Sequence, residues 1–351
     1  MDANINESAK WRLPAEWEQQ EFVQLTWPHE ETDWQPILKD ITDTYVQMAI
    51  DIARREHLLI VAPRPEEAIE AINKAAGDDI TGNINTFACP TDDTWARDHA
   101  FITLTDGNRR RLLDFRFNGW GDKFEAAKDN AINRRLYKAG MINGEYANHN
   151  NFVLEGGSIE SDGNGTIFTT TGCLLAPHRN QPMDRQAIEA YLKESLCARR
   201  VVWIDHGNLT GDDTDGHIDT LVRIAPDNTL LYVGCDDKSD EQYISLHAME
   251  EQLRSLVTAD GRPYRLLKLP MPRPILYDGE RLPATYANFL VINGAVLYPT
   301  YGQSDLDTEA AGIIGKAFPG RDIIGIDCRS VIIQHGSLHC CTMQYPLCHN
   351  D

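Results

Sequence analysis

Positive charge, long apolar runs and paired cysteines are all scarce in this 351-residue chain. Lys and Arg number 33 against 53 Asp and Glu, a formal net charge of −20. Nucleic acids and anionic membranes are bound through a basic footprint, so neither is an expected partner. The longest apolar runs, such as residues 289–292 and 294–298, fall far short of the roughly 20 residues that span a bilayer. Residues 1–10 carry Asp2 and Glu7 and no apolar region, so no secretory signal is expected. Eight cysteines lie at uneven intervals with no Cys-x-x-Cys pair, which argues against a zinc ribbon. An HExxH motif is also missing. No Pro-, Gly- or Ser-rich linker and no shift in composition divides the chain. These absences predict a single domain over residues 1–351, with residues 1–12 an irregular N-terminal segment. They also predict reduced thiols in a cytoplasmic protein. Homo-oligomers stay compatible with all of this.

What is present is ordinary for a globular enzyme: 42% hydrophobic and 25% charged residues. The surplus of carboxylates suits a cationic small-molecule partner. Alternation over residues 21–27 predicts a strand. Ile37, Ile41, Tyr45, Met48 and Ile52 recur at helical spacing and predict a helix over residues 34–55. Asn293-Gly294 between apolar runs predicts a hairpin joining strands at residues 287–292 and 295–299. Further strands are predicted at residues 217–224 and 331–333, and a helix over residues 123–139. An order of strand, polar loop, strand and helix recurs along the chain. Trp27, Asp98, Glu155, His217, Asn288 and Cys340 mark the loops at intervals of roughly 50–70 residues, longer than common solenoid units. About five such modules in a ring would bring their loops to one centre.

Candidate chemistry clusters at those loops. In residues 334–344 a glycine, Gly336, opens a turn shortly before Cys340 and Cys341. A cysteine at such a junction is well placed as a nucleophile, although the same stretch reads as a buried cysteine pair in a strand. His217 and Asp219, two apart on a strand, would face one pocket. Glu155 is a candidate to fix the His217 tautomer and stabilise its cation. A structural histidine and a solvated loop of Asp212, Asp213 and Asp215 are the plainer readings. An EF-hand fails: with Gly216 sixth in the loop, the first and twelfth ligand positions fall on Gly211 and Val222. A His-x-Asp zinc site stays open. Asp98 and Asp219 could each accept two N–H groups from a planar guanidinium, while Arg97 beside Asp98 offers a structural ion pair instead. A thiol, an imidazole and several carboxylates without a lysine or glycine nest suit attack on a cationic carbon better than attack on an ester.

Eight stretches then occur in one order: Leu13-Pro14-Ala15-Glu16-Trp17-Glu18, Thr26-Trp27-Pro28, Asp93-Thr94-Trp95-Ala96-Arg97-Asp98, Phe117-Asn118-Gly119-Trp120-Gly121-Asp122-Lys123, Leu154-Glu155-Gly156-Gly157-Ser158-Ile159, residues 211–219, Tyr286-Ala287-Asn288-Phe289 and Ser337-Leu338-His339-Cys340-Cys341-Thr342. In these the chain resembles the agmatine deiminases, within the bacterial-type peptidyl-arginine deiminase group of the guanidine-modifying superfamily. The resemblance implies an α/β fold, a five-bladed α/β propeller (pentein) with pseudo-fivefold modules and a central active site, and neither cofactor nor metal. It implies Cys340 as nucleophile, His217 as general acid and base, and Asp98 and Asp219 as the guanidinium clamp. Glu155 would support His217 and the substrate. Trp95 and Trp120 would pack on the substrate's methylene chain, Asp213 would meet its far amine, and Asn288 would lie close by. The implied reaction is hydrolysis of agmatine to N-carbamoylputrescine and ammonia through a covalent thiouronium. Deimination of peptidyl or free arginine to citrulline is the alternative, and a non-catalytic guanidine- or polyamine-binding protein a weaker one. The chain departs from the family pattern at Gln334-His335, where glycines are usual, and at Gly119, Asp122, Asp215 and Thr220.

Overall fold

The computed structural model describes residues 11–76 and 78–348. Parallel strand pairs need a long crossover, and antiparallel pairs need only a hairpin. Here the two alternate, and they generate five sheets on one plan. In four sheets a first strand pairs antiparallel with a second, and the second pairs parallel with a third. These are β4–β5–β6 (Ile102–Thr105, Arg110–Arg116, Glu145–Val153) and β7–β8–β9 (Ile159–Ser161, Thr166–Thr170, Arg200–Ile204). The others are β10–β11–β12 (Val222–Ala225, Thr229–Val233, Arg265–Leu269) and β15–β16–β17 (Leu290–Ile292, Ala295–Thr300, Asp322–Asp327). Helices Ile132–Lys138, Arg185–Ser195, Tyr243–Ser255 and Ser304–Ala317 lie in the respective crossovers. A small hairpin, β13–β14 (Leu276–Tyr277, Glu280–Arg281), precedes β15.

The remaining sheet joins the two ends of the chain. Strand β1 (Gln20–Thr26) runs parallel to β2 (His57–Ala62) across helix Leu38–Ala53, and β2 runs parallel to β3 (Ile84–Ala88). Its antiparallel first strand is β18 (Thr342–Pro346), from the C-terminal end of the described chain. Tyr345 stacks on Phe22 with ring centroids 4.3 Å apart, and its hydroxyl donates to the Gln24 side chain at 2.9 Å.

Each first strand is entered through a short turn. Ala96–His99 precedes β4, Gly156–Ser158 precedes β7, Ile218–Thr220 precedes β10, residues 286–289 precede β15, and His339–Cys341 precedes β18. Four of these turns pack in a row: Ala96–His99 touches both Gly156–Ser158 and His339–Cys341, and Gly156–Ser158 touches Ile218–Thr220. The fold therefore delivers Asp98, Gly157, Asp219, Asn288 and Cys340 from five separate sheets.

Several expected elements differ. The strand expected over residues 217–224 is confined to Val222–Ala225, because His217 leads into a 3-10 turn closed by the Thr220 hydroxyl donating to the His217 carbonyl. The expected strand at residues 331–333 is a 3-10 turn, Val331–Gln334, stopped by His335 at φ 65. Cys340 accordingly sits before a strand, not after one. Only Leu290–Ile292 of the expected strand at residues 287–292 is extended. The helix expected over residues 123–139 shrinks to Ile132–Lys138, since the Asp129 carboxylate accepts the N–H groups of Asp92 and Asp93 and Asn130 accepts that of Phe117. Strand β6 went unseen because its polar residues 145–151 form a half-exposed edge with no apolar alternation. Trp27 follows β1, so it is not the counterpart of the other loop markers. Of the segment at residues 1–12, residues 1–10 lie outside the described residues, while Arg12 bridges to Thr105. No helix among the described residues is long and apolar enough to cross a membrane.

The β1–β18 seam makes Tyr345 a test of how the two ends of the described chain are joined. Tyr345→Ala should cost about 3–5 kcal/mol of unfolding free energy, the usual penalty for emptying a buried aromatic site. A urea midpoint within error of the parent protein would contradict the seam's importance.

Candidate active site

The 3-10 turn at His339–Cys341 leaves backbone N–H groups without intrahelical acceptors. The Asn288 side chain meets them: its Oδ1 accepts from His339 N at 2.9 Å and lies 3.3 Å from Cys340 N. The same oxygen is 3.4 Å from Cys340 Sγ, and Asn288 Nδ2 reaches the Asp219 carbonyl at 3.3 Å. Asn288 thus ties the thiol to the Asp219 turn. Cys340 Sγ is 3.9 Å from Asp219 Oδ2.

Gly157 lies where the other groups meet. A Cβ there would stand 2.6 Å from His217 Nδ1, 2.9 Å from Asp98 Oδ1 and 3.1 Å from Asp219 Oδ2, so only glycine fits. Its N–H donates to Asp98 Oδ1 at 3.0 Å, and the Trp120 indole donates to Asp98 Oδ2 at 2.9 Å. His217 is wholly buried, with Nδ1 3.7 Å from Asp98 Oδ1. Asp219 Oδ2 is held by His339 Nδ1 at 2.7 Å, and Glu155 Oε1 accepts from Arg179 Nε at 2.8 Å. The second oxygens, Asp219 Oδ1 and Glu155 Oε2, and both His217 ring nitrogens are buried without a hydrogen-bond partner among the described residues. Buried polar atoms are normally paired, so this cluster is shaped for a polar ligand.

The electrostatics follow from crowding anions in a buried space. Burial pushes His217 down, but the Asp98 carboxylate, helped by Cys173 and Glu155, holds it well above the usual histidine range. Burial raises Asp98; Asp219 and Glu155 add to the rise, against the pull of His217 and Trp120. Burial, then the Asp219 and Asp98 charges, push the Cys340 thiol well up.

Two clusters have ligand-like groups within 4.8 Å of one another: Glu155, Cys173 and His217, and Glu16, Glu160 and His339. A guanidinium of the chain itself supplies positive charge in each. Arg179 binds Glu155, and Arg223 binds Glu16 at 2.7 Å and Glu160 at 2.6 Å.

A pocket of about 630 Å3 opens onto Cys340. Asp33, Asp93, Asp98 and Asp213 line it, with Trp95, Trp120, Phe124 and His335, and no Lys or Arg does. Burial lifts Asp93 to about 6. Gly336 admits the Trp95 ring, which a Cβ would strike at 2.1 Å. Asp213 stands at the mouth, its Oδ2 3.8 Å from His335 Nδ1.

All nine sequence-predicted residues thus lie in or beside one site, with corrections of detail. His217 and Asp219 converge through a turn and not through strand alternation. Trp120 is a donor to Asp98 as well as a wall. Asp212 accepts the N–H groups of Thr214 and Gly216, and Asp215 pairs with Arg179 and Lys123, so of that acidic loop only Asp213 lines the pocket. Arg97 is not the ion-pair partner of Asp98; it turns toward the His339 carbonyl, Met343 and Gln344. Arg179, Cys173, His339 and Glu16 were missed. His339 stood within a quoted stretch; Arg179 and Cys173 lay outside every stretch that signalled chemistry.

The architecture is mixed α/β, with a thiol–imidazole–carboxylate cluster at the meeting of its turns. The chain belongs to the Porphyromonas-type peptidyl-arginine deiminase family, whose pattern matches residues 12–346. It is similar in structure to a Porphyromonas gingivalis protein provisionally named an arginine deiminase, at 49% identity and TM-score 0.91, covering 96% of this chain and 98% of that one. It is also similar to a cysteine-to-serine variant of C. jejuni agmatine deiminase with substrate bound, at 36% identity and TM-score 0.87, covering 95% and 96%. In sequence it is 32% identical to the agmatine deiminase of Stutzerimonas stutzeri over 361 residues, 95% of each chain.

Gly157→Ala should lower kcat/KM by about a hundredfold, since a displacement near 1 Å at reacting groups costs that much. Circular dichroism should stay at the parent spectrum; a variant within a few-fold of parent activity would contradict the crowding described.

Proposed function

We propose that this protein hydrolyses the guanidinium group of agmatine to give N-carbamoylputrescine and ammonia. The observation that carries the reading is the pocket: four carboxylates, two tryptophans and a thiol, with no Lys or Arg among its lining residues. Such a pocket suits a substrate positive at both ends. Relatives named agmatine deiminase support it, as does the substrate-bound variant lacking its cysteine. We also read the five sheets as blades of one five-bladed propeller of the pentein kind, forming a single catalytic domain in the cytoplasm. No metal or cofactor takes part in the reading.

Asp98 and Asp219 receive the guanidinium, the unpartnered Asp219 Oδ1 and Glu155 Oε2 accepting its N–H groups. The planar cation between them offsets the anions that suppress Cys340 ionisation, and the thiol releases its proton to solvent as substrate binds. The thiolate adds to the guanidinium carbon. His217, kept protonated by Asp98, gives its proton to the departing nitrogen, which leaves as ammonia. Cys340 then carries a thiouronium. Neutral His217 takes a proton from water, the hydroxide adds, and the C–S bond breaks as the ureido carbonyl forms, returning the thiol. One residue serves as acid and then base. Trp95 and Trp120 flank the methylene chain, Asp213 meets the far ammonium, and Asn288 holds the thiol against Asp219.

Arginine is the second reading, favoured by the name of the 49%-identical relative. Its carboxylate would face Asp213 with no cation among the lining residues except His335 when protonated.

Ammonia release from agmatine, L-arginine and a peptide ending in arginine, each with EDTA, separates these. Agmatine alone should serve; release only from the arginine compounds would overturn the assignment of Asp213. Cys340→Ser should abolish turnover with the fold intact. His217 acts as an acid and its ring is held above the usual range, so activity should persist well past pH 6.5 and fall only as pH rises through that raised value. Asp98 must be ionised and its carboxyl is raised, so the acid limb should lie above the usual aspartate range. A profile falling through pH 6.5 on its basic side would contradict the Asp98–His217 pairing.

A further inference from the structure

Behind Asp219, on the side away from the pocket, runs a chain of buried polar groups that the reaction as described does not use. His339 Nδ1 is 2.7 Å from Asp219 Oδ2, and His339 Nε2 is 2.8 Å from Glu16 Oε2. Glu16 comes from the segment ahead of β1. Its other oxygen accepts from Val291 N at 2.8 Å, and that segment is pinned by Arg321 donating to the Trp17 carbonyl at 2.7 Å. Glu16 and His339 share a second cavity of about 690 Å3 with Arg97 and Glu160. The line from this cavity to the thiol therefore reads Glu16, His339, Asp219, Cys340.

The donors decide what the line does. Asp219 accepts at Oδ2, so His339 Nδ1 carries a proton. The proton on Nε2 depends on what faces it. Arg223 Nη2 lies 3.1 Å from Nε2 and would use it as an acceptor, leaving a neutral ring. The Glu16 oxygen faces the same nitrogen at 2.8 Å, so Nε2 lies between a donor and an acceptor. Arg223 is otherwise bound to Glu16, to Glu160 and to the carbonyls of Ala287 and Phe289. Arg97 touches the His339 carbonyl and not the ring. Glu16 is thus the carboxylate that holds the far side of the His339 ring.

Resting on the reading of Asp219 as a guanidinium acceptor, we propose that Glu16 and His339 are positioning residues: they keep Asp219 ionised and turned so that Oδ1 faces the substrate. The segment ahead of β1 then contributes to substrate binding without touching substrate. The direction of the Asp219 shift agrees: burial pushes its carboxyl up, but the hydrogen bond and charge of His339, with His217 and Arg223, hold it below the usual range. Removing the Glu16 charge lets Asp219 protonate at a higher pH, so binding is lost sooner as pH falls.

The test compares Glu16→Gln, His339→Asn and their double variant with Asp219→Asn, by pH-resolved ammonia release and thermal unfolding. Glu16→Gln should raise KM about tenfold. It should move up by about one pH unit the second break in the acid limb of kcat/KM, the Asp219 ionisation that lies below that of Asp98, with kcat at saturation near parent. His339→Asn keeps a donor toward Asp219 but loses the link to Glu16. It should show the same shift, and the double variant should be no worse than His339→Asn alone. A parent KM and pH profile in Glu16→Gln, or additive effects in the double variant, overturn the proposal while Asp219→Asn still loses substrate affinity. Parent affinity in Asp219→Asn would instead overturn the guanidinium role of Asp219 itself. Should Glu16→Gln fail to fold, His339→Asn and its pH profile decide alone.

Discussion

Everything at this site depends on the missing side chain of Gly157. Because no Cβ stands there, an imidazole and two carboxylates close to within van der Waals distance of one point. Burying charges in this way costs several kcal/mol each unless they are paired. Both oxygens of Asp98 are bound, by an indole and a backbone N–H, while Asp219 is bound at one oxygen by His339 and Glu155 at one by Arg179. What is left over is a pair of buried acceptors, Asp219 Oδ1 and Glu155 Oε2, together with both ring nitrogens of His217.

On the proposed reading, that arrangement holds the thiol back until substrate binds. In the empty site burial, and then the Asp219 and Asp98 charges, push the Cys340 thiol well up. In the proposed reaction a bound cation offsets those charges, so substrate recognition and thiol activation become one event. His217 benefits from the opposite side of the same field: the anion density that suppresses the thiolate keeps the imidazolium. The turns ahead of the five first strands, with β18 paired on β1, hold these opposing demands in register.

The parts of this that were legible in the sequence are the ones carried by strong local patterns. The strand at β1, the helix Leu38–Ala53 and the Asn293-Gly294 hairpin emerged where periodicity and turn chemistry said they would. Cys340, His217, Asp219, Glu155 and Asp98 stood out because each sits in a polar interruption between apolar runs, whereas Trp95, Trp120 and the place of Asp213 followed only from the family resemblance. The local geometry of the site was not legible, for a physical reason: the 3-10 turn Val331–Gln334 opens with the apolar triplet of a short strand, and Ile218–Thr220 lies in an apolar–polar alternation that also reads as one. The supporting residues escaped because their partners are remote. Glu16 meets His339 across 323 positions, and Arg179 meets Glu155 and Asp215 from a loop with no chemical signature of its own.

The most direct test of the central claim is the ionisation of Cys340 with and without a guanidinium in the pocket. Ultraviolet thiolate absorbance, taken as the difference between the parent protein and Cys340→Ser, can be titrated in the free state and with a non-hydrolysable alkylguanidine bound. The expected result is a thiol that ionises well above the ordinary cysteine range when the site is empty and moves down sharply when the cation binds. A thiolate already present at neutral pH in the free protein, unmoved by the guanidine, would contradict the account.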